Sequence, residues 1–314
     1  MNRRHFLALL SALSCSGLSF SSAEEPKLPS AEGEKAKAFP DYDNTLQDRL
    51  WMWGHDSGQY DGPDGVYNIP LSEPITMADA IRYMDIPNVC VIRGGHPDAE
   101  YRKQFKQVKR LTWNLSSGSN ESYYSLRDYD FGLLDEMPNL IGFDLDDFFQ
   151  NNVDDVVEQT PQGERTVKPG ALSLNELAEL HKRVRTYSRP LDLRLVLYSF
   201  QLTPTMAPAI EFVDTVSFWT WSGSDLTALE GNFRKYREIA PSKPTLLGIY
   251  MWNFGEKKPL EMRFMEHQLD TALRLFKEGE IEGLIFHCTP LCNKKLPAVE
   301  YCREWIRKHG KETR

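Results

Sequence analysis

L-I-G-F-D-L-D-D-F-F, residues Leu140 to Phe149, is the stretch from which the fold can be read outward. Its first half is apolar, carries a glycine and lacks a helical period, which reads as a buried strand. Its second half places Asp144, Asp146 and Asp147 where that strand should stop. Side chains alternate along a strand, so Asp144 and Asp146 are expected on one face and Asp147 on the other. Two acids on a buried face are costly unless they bind a cation, share a proton or meet a substrate. Aspartate also caps strand ends and turns, so a purely structural cluster is the competing reading.

The flanking chain repeats one pattern: a short apolar strand, a polar or aromatic tip, then an amphipathic helix. Strands are expected at Leu50–His55, Asn88–Ile92, Arg110–Asn114, the Leu140 stretch, Leu193–Tyr198, Thr215–Thr220, Thr245–Trp252 and Gly283–Cys288. Ser173-Leu174-Asn175-Glu176 reads as a capping box that opens one of the helices. The polar segment Gln150–Pro169 is too long for an ordinary connection and reads as a lid, a binding loop or disorder. Strict alternation implies an α/β protein with a parallel sheet, and eight units imply closure into a single-domain (β/α)8 TIM barrel over residues 46–314. An open doubly wound sheet would need a phosphate-binding glycine fingerprint after its first strand. Neither G-x-G-x-x-G nor a P-loop occurs, and no cofactor is expected.

The 314 residues suffice for such a barrel. A net charge of -8, with no basic block beyond the first few residues, argues against nucleic acid and anionic membrane surfaces as partners. Residues 1–23 read as an export signal, with Arg3-Arg4-His5-Phe6-Leu7 similar to a twin-arginine motif and Ser21-Ser22-Ala23 suited to a signal peptidase. An ordinary secretory signal, or a lipoprotein site at Cys15, is the alternative, and each places the mature chain in the periplasm or outside the cell. The apolar run is too short to span a bilayer, so no transmembrane segment is expected in the mature chain. Residues 24–45 are polar and small and read as a disordered leader. Of the remaining four cysteines, Cys90, Cys288, Cys292 and Cys302, the pair Cys288 and Cys292 is the best candidate disulfide, while Cys90 lies in an apolar strand and reads as a small core residue. No C-x-x-C pair suggests a structural metal.

In a barrel of this kind the active site lies at the C-terminal strand ends. Those ends carry His55 and Asp56; Arg93; Asn114; Asp144, Asp146 and Asp147; Tyr198 and Gln201; Trp219 and Trp221; Trp252, Asn253 and Glu256; and His287. Each has an ordinary structural explanation alone, since His287 can be a core histidine, Glu256 a solvated turn and the tryptophans packed core. Together, carboxylates and indoles around one mouth suit a sugar, whose apolar face stacks on rings while amides and acids bind hydroxyls. Glycoside cleavage needs a protonated carboxyl as donor and an ionised one as nucleophile or base. Asp146 or Asp147 is the candidate acid, tuned by Asp144, and Asp56 or Glu256 the candidate second carboxylate.

The export signal, the eight-fold alternation, G-F-D-L-D-D-F-F, W-x-W at Trp219–Trp221 and Y-M-W-N at Tyr250–Asn253 together resemble the glycoside hydrolase-type TIM barrels, as an exported bacterial member. The resemblance covers the whole mature domain as architecture and implies a carbohydrate ligand. It departs from that pattern at Phe148 and Phe149, where chitinase-like barrels continue to a catalytic glutamate, and at Trp252-Asn253, where other retaining barrels place a second one. The leading reading is a periplasmic or secreted hydrolase acting on a glycan by carboxylate chemistry. A non-catalytic carbohydrate-binding barrel and a metal-dependent hydrolase or isomerase built on His55, Asp56, Asp144, Asp146 and His287 stay open beside it.

Overall fold

The computed structural model describes residues 42–58, 60, 65–93, 96–115, 123–149 and 154–314. The expected export signal, and nearly all of the expected leader, lie outside them. In chain order the strands and helices are β1 (Leu50–Gly54), α1 (Met77–Met84), β2 (Asn88–Val91), α2 (Ala99–Arg102), β3 (Arg110–Asn114), α3 (Tyr123–Glu136), β4 (Leu140–Leu145), β5 (Val156–Thr160), β6 (Gly163–Val167) and α4 (Leu174–Arg185). They continue as β7 (Asp192–Tyr198), α5 (Ala207–Ile210), β8 (Thr215–Trp219), α6 (Leu229–Ile239), β9 (Thr245–Tyr250), α7 (Met262–Lys277), β10 (Gly283–His287) and α8 (Pro297–His309). Eight of the strands close into a parallel barrel in the order β1-β10-β9-β8-β7-β4-β3-β2. The expected (β/α)8 architecture is therefore what forms. No helix among the described residues is long and apolar enough to cross a membrane.

The strands are buried on both faces, inside against one another and outside against helices, so they read as apolar runs instead of alternating ones. The helices show the complementary pattern. In α7 one stripe, including Phe264, Met265, Leu269, Ala272 and Phe276, is buried while the remainder is wet. Ser173 caps α4 in the expected reciprocal box with Glu176.

Three expectations change. The segment read as a long irregular loop contains an antiparallel hairpin, β5 paired with β6. Its residues are mostly polar and exposed, so no apolar alternation betrays it in the sequence. Residues ahead of the expected boundary at residue 46 already contact the barrel. Tyr42 accepts a hydrogen bond from Trp51 Nε1 at 3.1 Å. Its ring lies 4.7 Å from the Arg49 guanidinium and 4.6 Å from that of Arg110, closing the N-terminal end of the barrel. The third change concerns the thiols. Cys288 and Cys292 are buried and no disulfide joins them; Cys90 and Cys302 are buried as well. A tight helical turn runs from Thr289 to Leu291, and Cys292 Sγ points back at the Cys288 carbonyl, 3.7 Å away.

A charged layer fills the barrel interior. Arg194 on β7 is almost wholly buried and contacts Cys90 Sγ on β2 at 3.7 Å. Those strands are not neighbours, so this contact crosses the lumen. Arg194 Nε donates to Asp192 at 2.6 Å, and its guanidinium sits 3.8 Å from the centre of the Trp51 ring.

Asp130 on α3 is the opposite case, a buried carboxyl whose Oδ2 has no hydrogen-bond partner. Burial alone pushes it up to about 7. Its unfolded value is about 3.9, so the folded state holds a proton that the unfolded chain releases. That stability is complete below about pH 4 and is lost as pH rises through 7. Replacement Asp130→Asn should remove this decline. Between pH 4 and pH 8 the variant should gain up to roughly 4 kcal/mol relative to the parent, read from urea denaturation at both pH values.

Candidate functional site

The inward positions at the end of β4 fall to Asp144 and then, one step higher, to Asp146. Asp144 is 2% exposed, accepts a hydrogen bond from Thr112 Oγ1 and pairs in register with Arg194. Burial pushes its carboxyl up to about 6, against the pull of the Arg194 charge. It belongs to the interior layer beneath the mouth. Asn114, its register neighbour on β3, is buried beside it.

Asp146 is half-buried at the floor of the mouth. Burial, then the charges of Asp147 and Asp144, push its carboxyl well above the usual carboxylate range. Asp147 departs from the expected strand alternation. It has a left-handed backbone, φ 46°, a conformation aspartate tolerates better than most residues. The turn brings its side chain to the mouth, where Tyr198 donates its hydroxyl to Oδ1 at 3.1 Å. Two adjacent residues thus deliver both carboxylates to one place.

An arc of partly accessible rings faces this pair. Tyr60 lies 5.2 Å from Tyr67, Tyr67 6.0 Å from Trp221, Trp221 5.9 Å from Tyr198, and Tyr198 5.2 Å from Phe200. The phenols of Tyr60, Tyr67, Tyr198 and Tyr250 are all pushed up, by burial first, with the field of Asp146 and Asp147 adding to it in every case. Beneath the arc is a buried aromatic floor of Trp53, His55, Trp219, Tyr250, Phe254 and His287. His287 sits 4.5 Å from Phe254 and 5.2 Å from Tyr250, ring centre to ring centre. Burial and the neighbouring His55 push its imidazole well below its usual range, so it is neutral. Trp53 Nε1 can only donate, and it does so to His55 Nε2 at 3.0 Å, which fixes that nitrogen as an acceptor. The Tyr60 hydroxyl meets the same nitrogen at 2.9 Å.

The floor is held by side chains that take over backbone pairing where the strands run out. Gln268 on α7 accepts from the Tyr250 amide at 3.0 Å and donates to its carbonyl at 3.2 Å. Thr289 Oγ1 does the same for His55, at 2.8 and 2.7 Å. Only glycine at 248 leaves room for Trp219, because a Cβ there would meet the indole at 2.1 Å.

Other expected site residues have separate duties. Asp56 accepts from Arg93 and, at 2.7 Å, from the Tyr101 hydroxyl, so both it and Arg93 are engaged in a side cluster. Glu256 is an exposed rim residue paired with Lys258 at 2.6 Å; that hydrogen bond, together with one from Asn253, brings its carboxyl down to about 2. Asn253 is buried and its Oδ1 accepts from the amides of Gly223 and Glu256. Trp252 Nε1 donates to the Tyr67 carbonyl at 3.1 Å, pinning the loop that bears that tyrosine. Gln201 ties its own turn to the Phe149 carbonyl. Asp146, Asp147, Tyr198 and Trp221 are the expected residues that the fold gathers at the open mouth.

Tyr60, Tyr67, Phe200, Tyr250 and Phe254 escaped the sequence reading. For Tyr250 a signal was present: it alternates with Trp252 within the very motif Y-M-W-N. Among the described residues no group of three or more His, Cys, Asp or Glu side chains is placed to hold a metal ion. A cavity of about 310 Å³ opens at the opposite end of the barrel, beside Asp48, Ile86, Pro87 and Lys109. Of the three carboxylates that line it, Asp48 is bound by Arg110 and Lys109, Asp43 accepts from the Thr45 amide, and Asp85 accepts from Gln47 Nε2. That leaves the C-terminal mouth as the candidate site.

No protein-family model matches the chain, and no curated protein matches it in sequence. Solved structures do match in shape. A GH99 endo-alpha-mannosidase from Bacteroides thetaiotaomicron superposes with a TM-score of 0.53 at 9% identity, over 84% of this chain and 98% of its own. Active domain 2 of a thermostable chitinase from Pyrococcus furiosus gives 0.52 at 12% identity, over 86% and 99%. The chain shares the TIM-barrel fold of these glycoside hydrolases. At such identities the likeness concerns the fold, and the chemistry rests on the residues described above.

The acid pair has a direct test. In carboxyl-detected NMR titrations Asp146 should titrate well above the ordinary aspartate range. Asp147→Asn should bring it down, and by more than Asp144→Asn does, because Asp147 is the larger of the two like-charge contributions. An unmoved Asp146 in Asp147→Asn would show that the two do not interact.

Proposed function

We propose that this chain is an exported barrel that binds a glycan at its C-terminal mouth and hydrolyses a glycosidic bond there. The observation that carries the reading is the Asp146–Asp147 pair lying against an arc of accessible rings. Rings supply the flat apolar faces on which pyranose rings stack, and the pair supplies carboxyls in two protonation states. Asp146, whose ionisation is opposed by burial and by two like charges, holds a proton to give to the leaving oxygen. Asp147, oriented by Tyr198, carries the negative charge that stabilises the oxocarbenium-like centre as the bond breaks. Water completes the cleavage, adding to that centre and returning a proton to the pair. The endo-alpha-mannosidase and chitinase of similar shape support this reading at the level of fold. Export rests on Arg3-Arg4-His5-Phe6-Leu7 and the apolar run behind it.

One observation favours a second reading, a barrel that binds glycan without cleaving it. Asp56 and Glu256, the expected partners across the mouth, are both committed to ion pairs.

A glycan array followed by product analysis of the bound species separates the two. If the pair is catalytic, Asp146→Asn and Asp147→Asn each lower cleavage by roughly 100-fold or more while retaining binding. Cleavage by both variants at the parent rate sinks the catalytic assignment. Binding without cleavage by the parent itself establishes the second reading.

A further inference from the structure

Phe200 is the one aromatic among the large apolar side chains exposed in the described residues, at 55%. Its exposure is imposed by a rigid turn. Ser199–Gln201 forms a single helical turn directly after β7. Gln201 accepts from the Tyr198 amide at 3.0 Å and donates to the Phe149 carbonyl at 3.0 Å, so the turn is pinned at both its start and the neighbouring β4 loop. The following residues are tied down too: the Thr205 carbonyl accepts from the Lys168 amide at 2.9 Å, and Thr205 Oγ1 donates to Asp155 at 2.9 Å.

The Phe200 ring is nearly parallel to that of Tyr198, 7° apart with centres separated by 5.2 Å. One face is therefore covered by Tyr198 and the other is open. Tyr198 in turn stands between Phe200 and Trp221, and its hydroxyl is on Asp147. Phe200 thus prolongs the aromatic arc outward from the acid pair, on the far side of Tyr198. A large apolar side chain held in water against a fixed turn forgoes the burial it would have in the core, and here it continues a run of accessible rings instead of standing alone.

We propose that the open face of Phe200 is a second sugar platform, so that the ligand is an oligosaccharide that covers the acid pair with one residue and stacks a later residue on Phe200. This rests on the glycan reading and specifies its substrate class: a chain, in preference to a single sugar or a short glycoside. Phe200 is then a specificity-determining residue for chain length, and it takes no part in the proton transfers.

The test measures binding across a ladder of chito-oligosaccharides and a ladder of manno-oligosaccharides, each from dimer to hexamer, by calorimetry on the folded parent and on Phe200→Ala, Phe200→Trp and Tyr198→Phe. In whichever series the parent binds, affinity should rise with length. Phe200→Ala should lose roughly tenfold on the long members and nothing on the dimer, and Phe200→Trp should restore that loss. Tyr198→Phe should weaken all lengths alike, because it touches Asp147. If Phe200→Ala leaves the long members unaffected, or weakens every length equally, the platform does not exist and Phe200 merely props Tyr198. If the parent binds neither series while an array shows another glycan bound, the ladder is repeated in that sugar with the same two outcomes. If the parent binds no glycan of any kind, the glycan reading itself falls, and this proposal with it.

Discussion

A full positive charge inside a barrel is the constraint to which the rest of this molecule answers. Arg194 is 1% exposed, and no water layer could offset its desolvation. Its surroundings do so instead: the Asp192 carboxylate at 2.6 Å, the Trp51 face at 3.8 Å, and Asp144 in register on the adjoining strand. The arrangement is reciprocal. Asp192 also accepts from Thr215 at 2.9 Å, a second donor besides the arginine, and Asp144 accepts from Thr112. A buried charge network of this sort tolerates no partial version, since removing one member strands the others in a medium that solvates them poorly. It therefore specifies one packing of β3, β4 and β7 over any near alternative.

That layer also decides what the mouth can do. By taking Asp144 into the interior, it divides the D-x-D-D run into a structural acid and a pair that faces outward. Asp144 still acts on the pair from below, as a like charge beneath Asp146. Around them the aromatic floor excludes water, and the Gln268 and Thr289 side chains satisfy backbone groups that the closed barrel leaves unpaired at its rim. Rigid supports of this kind hold side chains to a geometry more closely than loops alone do.

The sequence carried the barrel plainly, because each β/α unit writes its own local pattern and eight repetitions leave little choice of topology. It also carried the position of the strand ends, since those can be counted. It did not carry the partners. Nothing in the local pattern tells that Glu256 folds back on Lys258, or that Asn253 spends its carbonyl oxygen on two amides, for those bonds join positions whose approach depends on the loop conformation. Alternation puts Asp147 on the face opposite Asp146, but it holds only while the strand lasts, and the backbone turns left-handed at that residue. Tyr60, Tyr67 and Phe200 sit in connections, where no periodicity marks a direction. Tyr42 follows a polar stretch, and composition does not mark the single aromatic there that packs between two arginines.

The same partners narrow the chemistry. With Asp56 held by Arg93 and Tyr101, and Glu256 held by Lys258, the carboxylates left to act at the mouth in the described residues are neighbours in sequence. In the proposed reading, neighbouring carboxylates reach the bond from one side, as a donor and a charge-stabilising group, where most glycoside hydrolases flank the sugar with theirs. Their closeness tunes one of them: the Asp147 charge adds to burial in opposing the ionisation of Asp146. Burial first, then the charges of Asp147 and Asp144, hold the Asp146 carboxyl above the usual carboxylate range, and Asp144 itself belongs to the layer that Arg194 anchors below.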